Sequence, residues 1–392
     1  MDTSYIINEL GEERAHYFNS IAPPIMQASN FAFRKVDDLS RAFEDESACY
    51  QNGGYLYSRG MNPTVDILRK KLAALDGAED CLVFNSGAAA IFAGVLANVK
   101  SGDHIVSVKN PYSWAQKMFD VVLPRFGLTT NYIDGRKLED WQEATRPNTS
   151  FYYLESPNSW NYALQPLEEV AGFARSKGIT TMVDNSYCTP LPQNVIAMGI
   201  DLAMQTATKY IGGHSDTLGG VLSGSTAMIK RIFNSEYLNI GSGIQPFNAW
   251  LLIRGLRTLP MRLERITATT KKVVSNLKSH PKVESILFPL DPSFPQFELA
   301  KRQMKNACGL LTLELRTGRR ESIVAFCESL RHILMAVSWG GHESLIIPKC
   351  AGIPATDFDP SNPEHRYVRL YVGLEDADYL LDDISQALQK MN

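Results

Sequence analysis

A lysine stands between two threonines and a pair of glycines in the stretch QTATKYIGGHSD, at residues 205–216. Lys209 follows the apolar run LAMQT, which predicts that it lies just beyond the end of a buried strand. Thr206 and Thr208 are two residues apart, so in an extended segment their hydroxyls lie on one face and could bind a phosphate. A solvated surface lysine is the structural alternative, and the neighbouring segments have to decide between the two.

Two other segments place polar groups after apolar runs. Ser86 and Gly87 follow CLVF and precede a helical pattern that starts near Ala88, so a helix N-terminus there would favour an anion. Asp184 follows ITTMV, where an unpaired carboxylate would be costly to bury. The structural alternatives are a packing turn and a helix cap. Pyridoxal 5'-phosphate requires a phosphate-binding turn, a carboxylate and a lysine amine on neighbouring strand ends.

The elements that would position these residues alternate between strands and helices. Helical stretches separate the apolar runs, a pattern typical of a parallel sheet covered by helices. In such sheets, ligands bind beyond the carboxyl ends of the strands. The predicted strands are residues 81–84, 104–108, 150–154, 179–183 and 202–206.

The predicted helices help to divide the chain into three parts. In NPTVDILRKKLAALDG, Asn62 can cap a helix, Pro63 fits its first turn and Gly77 ends it. A longer helix predicted over 248–266 leads to the smaller domain. We expect an irregular N-terminal arm at 1–55, a large domain at 56–247 and a C-terminal domain at 248–392.

The composition excludes several classes of function. The chain has 39 Lys plus Arg against 42 Asp plus Glu, so its net charge of -3 gives no general attraction to nucleic acid or anionic lipid, and a small-molecule partner is expected. An acidic N-terminus and short apolar runs predict a cytoplasmic protein. Scattered histidines predict no metal site. The cysteines form no C-x-x-C pair, which favours free thiols; they are Cys49, Cys81, Cys188, Cys308, Cys327 and Cys350.

Seven ordered motifs resemble the Cys/Met metabolism family of pyridoxal-phosphate enzymes, the trans-sulfuration group in the aspartate aminotransferase fold. The resemblance covers nearly the whole chain and implies the α/β architecture called fold type I: a large domain with a mostly parallel sheet covered by helices, and a smaller C-terminal α/β domain. The motifs are YLYSRGMNPT at 55–64, FNSGAAA at 84–90, ESPNS at 155–159, MVDNSY at 182–187, TATKYIGGHSD at 206–216, SWGGHESL at 338–345 and RLYVGLED at 369–376.

The resemblance implies how the cofactor is held. Lys209 matches the lysine that forms the Schiff base with the cofactor, and Asp184 matches the partner of the pyridine nitrogen. Tyr112 matches the tyrosine that stacks on the cofactor ring. The remaining predicted cofactor contacts are Ser86, Gly87, Ala88, Thr206 and Thr208 around the phosphate, and Asn158 after the strand at 150–154.

The resemblance also implies that two subunits share each active site, and it indicates which residues bind the substrate carboxylate. Tyr57 and Arg59 match a pair that reaches the cofactor phosphate of a neighbouring subunit, so we expect at least a dimer, and by likeness to the family a homotetramer built from dimers. Arg369, helped by Ser338 and Trp339, would bind the substrate carboxylate, which suits a planar bidentate donor. Tyr112 or Tyr57 would protonate the departing sulfur.

The reaction itself depends on a few variable positions. Val337 stands where gamma-acting members that use cystathionine commonly have a glutamate, although valine there also resembles methionine gamma-lyases. The SWGG sequence with Trp339 resembles cystathionine beta-lyases, and Trp114 replaces a cysteine of methionine gamma-lyases. We therefore predict beta-elimination of cystathionine or cysteine to a thiol, pyruvate and ammonia. The alternatives are a cystathionine or methionine gamma-lyase, a cystathionine gamma-synthase or homoserine-ester sulfhydrylase, and a non-catalytic scaffold.

Overall fold

The computed structural model describes residues 1–48 and 54–391, so Cys49 and part of the predicted arm lie outside the described residues. The arm is not wholly irregular, because it contains helices α1 (Thr3–Asn8) and α2 (Val36–Glu44). The chain divides into two compact units. The first comprises Met1–Ser156, Gln165–Gly212 and Asp216–Arg257, and the second comprises Pro157–Leu164, Gly213–Ser215 and Thr258–Asn392.

A mostly parallel sheet organises the first unit, as predicted. Its strands are β1 (Asp80–Phe84), β2 (His104–Val108), β3 (Thr129–Ile133), β4 (Thr149–Glu155), β5 (Thr180–Asp184), β6 (Leu202–Thr206) and β7 (Gly220–Gly224). In the described part of the chain these strands have the order β1-β7-β6-β5-β4-β2-β3. The neighbours from β6 to β3 pair in parallel, whereas β7 runs antiparallel to both β6 and β1.

Helices cover both faces of this sheet. Phe151 and Tyr153 pack in one hydrophobic core, and the alternating Tyr152 and Leu154 pack in the other, as the period of two in a strand requires. The remaining helices of this unit are α3 (Pro63–Asp76), α4 (Gly87–Leu96), α5 (Ser113–Lys117), α6 (Leu138–Ala144), α7 (Leu167–Lys177), α8 (Thr226–Ile232), α9 (Leu238–Ile240) and α10 (Pro246–Leu256).

The second unit has its own sheet with helices. Its strands are β8 (Val283–Leu287), β9 (Leu310–Leu315), β10 (Leu334–Met335), β11 (Leu345–Pro348) and β12 (Tyr367–Tyr371), and its helices are α11 (Leu259–Leu277), α12 (Phe297–Gln303), α13 (Arg320–Glu328) and α14 (Ala377–Leu388). The strand order is β10-β11-β12-β9-β8. Within this sheet β12 pairs antiparallel with β11 and β9, so Arg369 lies on an interior strand, opposite Thr312.

The single helix predicted over 248–266 is wrong, because α10 ends at Leu256 and α11 begins at Leu259. Pro260 explains the break. Its ring lacks an N–H and would clash with the carbonyl four residues earlier if one helix continued, whereas the first turn of a new helix accepts proline.

None of the helices in the described part of the chain is both long and apolar enough to cross a membrane.

Candidate active site

Two neighbouring strand ends carry the predicted carboxylate and the predicted threonine. Asp184 ends β5 and Thr206 ends β6, and the two strands pair in parallel. Ser186 links them, because its backbone N–H donates to Asp184 Oδ1 at 2.9 Å and its Oγ accepts the Thr206 N–H at 2.7 Å. The turn after β5 therefore fixes both side chains at one edge of the sheet.

Lys209 lies close enough to Asp184 for their charges to interact. Burial raises the pKa of Asp184, while hydrogen bonds from Ser186 and the positive charge of Lys209 act to lower it. Asp184 is only 7% exposed. A carboxylate held in this way would be stabilised as an anion by a protonated ring nitrogen next to it. Asp184 and Lys209 thus fit the pyridine nitrogen and the aldehyde of the cofactor.

The start of α4 provides a site that suits the phosphate. Gly87 packs against the end of β6, because a Cβ added at Gly87 would lie 2.8 Å from the Thr206 Cβ. Ser86 caps the helix through its Oγ, which accepts the Ala89 N–H at 3.2 Å, and Ala88 is exposed in the first turn. Free N–H groups at a helix N-terminus favour a phosphate.

The two threonine hydroxyls meet at one backbone group beside this helix start. Thr206 Oγ1 and Thr208 Oγ1 each donate to the Gly219 carbonyl at 3.3 Å, and Thr208 Oγ1 also accepts the Gly219 N–H at 3.1 Å. These bonds hold the segment before Lys209 against the loop that precedes β7. Each hydroxyl has one proton, so to bind a phosphate it would donate that proton to a phosphate oxygen in place of the Gly219 carbonyl.

Tyr112 stands at the start of α5, within electrostatic range of Asp184. Its backbone N–H donates to Glu155 Oε2 at 2.6 Å, which fixes the tyrosine at the end of β4. Burial and the negative charge of Asp184 raise the pKa of Tyr112. The phenol therefore keeps its proton at neutral pH. Its side chain is 39% exposed, so the ring remains accessible within the first unit.

Tyr57 and Arg59 are exposed side by side, with the guanidinium carbon of Arg59 5.5 Å from the centre of the Tyr57 ring. The segment is tied to the arm, because the Ser58 N–H donates to the Ser29 carbonyl at 2.9 Å. Their predicted contact with a neighbouring subunit concerns a second chain and stays a prediction.

The second unit contains the residues predicted to bind the substrate carboxylate. Arg369 is buried, and its guanidinium carbon lies 5.2 Å from the centre of the Trp339 ring and 5.0 Å from that of Trp160. Ser338, directly before Trp339, has a φ of 87°, a left-handed conformation that is uncommon for serine. Asn158 is also in this unit, where its backbone N–H donates to the Ala163 carbonyl at 3.0 Å.

Sequence reasoning assigned no role to four residues that contact the predicted cofactor and carboxylate-binding residues. Glu155 and Ser186 flank strand ends and were visible as polar residues after apolar runs, but nothing in the pattern indicated their backbone partners. The buried Tyr153 contributes to the electrostatic environment of Asp184. For Trp160, the only signal was an aromatic residue in an otherwise polar loop.

Comparison with known proteins identifies the family of this chain. Residues 3–389 match the family profile described as Cys/Met metabolism PLP-dependent enzyme. The chain is 36% identical to an L-methionine gamma-lyase of Treponema denticola over 95% of this chain and 94% of the relative. It is 34% identical to a cystathionine gamma-lyase of Bacillus subtilis over 97% of each chain, and 33% identical to the chloroplastic cystathionine gamma-synthase 1 of Arabidopsis thaliana over 95% of this chain and 66% of the relative. The chain therefore belongs to the Cys/Met metabolism family, the pyridoxal-phosphate-dependent enzymes of trans-sulfuration.

Proposed function

We propose that this enzyme is a carbon–sulfur lyase that removes the sulfur substituent from the gamma carbon of methionine or cystathionine. The observation that carries the proposal is the similarity to methionine and cystathionine gamma-lyases along nearly the full length of this chain. These relatives favour the gamma-acting alternative over the beta-elimination predicted from the sequence.

The proposed cofactor contacts other than Asn158 are residues of the first unit. Lys209 would attach pyridoxal 5'-phosphate, Asp184 would pair with its ring nitrogen, and Tyr112 would stack on the ring. The phosphate would be held by Ser86, Gly87, Ala88, Thr206 and Thr208, and Asn158 remains a further candidate contact. When bound, the cofactor supplies an electron sink that acidifies the alpha C–H of the amino acid.

Two side chains would handle the protons. Lys209 Nζ would remove the alpha proton and carry protons between the alpha and beta carbons. Tyr112 Oη would donate its proton to the departing sulfur, a role supported by its raised pKa, because the phenol is then protonated when the thiolate leaves. For methionine, the net reaction consumes one water and yields methanethiol, 2-oxobutyrate and ammonia.

Arg369 would hold the substrate carboxylate in this scheme. Its burial in the second unit strengthens hydrogen bonds to a bound anion, because little water competes for the guanidinium. Ser338 and Trp339 would flank the same carboxylate. Fixing the carboxylate restricts the orientations that the bound amino acid can adopt.

We also propose that the active unit is a homo-oligomer, with Tyr57 and Arg59 of one chain completing the phosphate site of the next. The exposure of both side chains supports this proposal. A tetramer built from two such dimers is the assembly expected for the family.

Beta-elimination is the second candidate. It is favoured by Val337, which is 74% exposed and offers no carboxylate where gamma-acting members that use cystathionine commonly have one. The closeness of Trp339 to Arg369 also supports it, because bulk beside the carboxylate restricts how cystathionine can be seated.

Identification of the keto acid decides between the two candidates. L-cystathionine contains both reactive positions: gamma-elimination releases cysteine and 2-oxobutyrate, whereas beta-elimination releases homocysteine and pyruvate. We expect 2-oxobutyrate as the major product under initial-rate conditions, and methanethiol from L-methionine. Lys209→Ala provides the inactive control. A predominance of pyruvate would identify the enzyme as a beta-lyase. Absence of both keto acids would favour the alternative of a non-catalytic scaffold.

A further inference from the structure

Trp160 lies against the residue proposed to bind the substrate carboxylate. The centre of its ring is 5.0 Å from the guanidinium carbon of Arg369. The preceding residue, Ser159, accepts a hydrogen bond from Arg369 Nη1 at 3.4 Å. The short segment 157–164 therefore contacts the arginine through an aromatic ring and a hydroxyl.

The sheet of the second unit holds this segment in place. The Trp160 carbonyl accepts a hydrogen bond from Thr312 Oγ1 at 2.9 Å, and Thr312 is the residue of β9 directly opposite Arg369 on β12. Further along, Leu164 and Gln296 exchange two hydrogen bonds of 2.9 and 2.8 Å. The backbone of Trp160 is thus hydrogen-bonded to Thr312, the residue that pairs with Arg369 in the sheet.

The Trp160 ring also has a second cation close to it. Lys349 Nζ lies 5.5 Å from the ring centre, and the same lysine forms an ion pair with Glu364. A tryptophan face attracts cations, and the attraction is stronger where water is excluded. Because Lys349 is already paired with Glu364, we assign the recognition of a ligand carboxylate to Arg369 and not to the lysine.

We propose that Trp160 is a positioning residue that, together with Trp339, fixes the guanidinium of Arg369 for the carboxylate of the amino-acid substrate; this rests on the proposed role of Arg369. An aromatic ring against a guanidinium restricts the rotamers of a long side chain while its N–H groups remain able to form a bidentate pair. Without the ring, the arginine would have to be ordered by the substrate itself, which weakens binding.

The test measures carboxylate recognition directly on the cofactor-loaded enzyme. Glycine and glycinamide both carry a reactive amine, but only glycine has a carboxylate, and their dissociation constants follow from the change in visible absorbance on binding. We expect Trp160→Leu to weaken glycine about tenfold and to leave glycinamide unchanged within about twofold. Trp160→Phe, which keeps a ring, should restore most of the glycine affinity. Phe297→Leu is the matched control, because it removes another aromatic partner of a lysine in the same unit.

A second variant covers a failure of Trp160→Leu to fold. Thr312→Val keeps the shape of the side chain and removes the hydroxyl that anchors the Trp160 carbonyl, and it should weaken glycine about threefold with the same selectivity. Equal losses for glycine and glycinamide, or no loss for either, would overturn the positioning role. Arg369→Ala separates the two hypotheses. If Arg369→Ala leaves the ratio of the glycine and glycinamide dissociation constants unchanged, Arg369 does not bind the carboxylate. If the ratio changes in Arg369→Ala but not in the Trp160 variants, only the role of Trp160 is rejected.

Discussion

Asp76 is a buried carboxylate with two neutral hydrogen-bond donors. It ends α3, where its two oxygens accept hydrogen bonds of 2.6 Å from Gln205 Nε2 and Ser223 Oγ. Burial raises the pKa of Asp76 to about 7, although both hydrogen bonds act to lower it. The side chain thus titrates near neutral pH under the strand that leads to Lys209.

The raised pKa makes the stability of the fold depend on pH. The folded pKa lies above the value of about 3.9 expected in the unfolded chain, so the fold favours the protonated form. That contribution is complete below about pH 4 and is lost as the pH rises to about 7. We expect Asp76→Asn to remove this loss and to gain on the order of 2 kcal/mol relative to the wild type between pH 5 and pH 8.

Unfolding midpoints in urea at several pH values measure this difference. Other groups titrate in both proteins, so the quantity to compare is the gap between the two curves. A gap that stays constant from pH 5 to pH 8 would mean that Asp76 keeps an ordinary pKa in the folded protein.

At the scale of elements, α3 shows how local signals and long-range contacts combine. Asn62 caps the helix by accepting the Thr64 N–H at 3.0 Å, and Gly77 ends it with a φ of 67°, both as predicted from the sequence. Lys71 then joins α3 to the arm. Its Nζ donates to the carbonyls of Ile6 and Ile7, at 3.0 and 2.9 Å, and these residues belong to α1.

The Lys71 contact is a buried ion pair, because Glu12 Oε1 lies 3.0 Å from Lys71 Nζ and both side chains are inaccessible to water. We expect Lys71→Met to cost about 3 kcal/mol of unfolding free energy, since it leaves a buried carboxylate with fewer partners. Lys70→Met is the control: Lys70 pairs with Asp66 but is one-third exposed, so its loss should cost less than about 1 kcal/mol.

Hydrogen exchange locates the effect of Lys71→Met. Amides of residues 3–12 should exchange faster in this variant than in the wild type or in Lys70→Met, because α1 loses its attachment to α3. Protection that is equal in the two variants would show that other contacts hold the arm.

Elements with a strong local pattern were predictable, and those without one were not. The five apolar runs became β1, β2, β4, β5 and β6, whereas β7 was missed because its sequence, GVLSG, has glycine at both ends and is depleted in strand formers. Its antiparallel position between β1 and β6 depends on pairing between distant segments, which no short pattern encodes. The same limit applies to the candidate site. Asp184 ends β5 and Lys209 follows β6, so local patterns predicted their positions at strand ends, whereas the contact of Trp160 with Arg369 joins segments that are distant in the sequence.

At the scale of the whole molecule, the arm leaves several large apolar side chains exposed on the single chain, among them Phe18, Ile21 and Phe43. Scattered exposed apolar residues are ordinary, but a concentration of them in one segment is typical of a surface that another protein covers. Tyr57 and Arg59 lie in the same part of the chain. A second chain that packs on the arm would therefore lie next to Tyr57 and Arg59.

This arrangement predicts that two inactive variants restore each other. Lys209→Ala lacks the base, and Tyr57→Phe lacks a hydroxyl that would act on the site of the neighbouring chain. In a mixed dimer, one site carries both defects and the other carries neither. Purified hybrids should therefore have up to about one half of the wild-type activity, because one of their two sites is intact. Activity of co-expressed chains, purified through two different affinity tags so that only hybrids are assayed, is the measurement. Hybrids of Lys209→Ala with a Tyr5→Phe chain, changed at an exposed tyrosine elsewhere in the arm, control for the loss of a hydroxyl. If the verified Lys209→Ala and Tyr57→Phe hybrids remain as inactive as the parent variants, each site is complete within one chain.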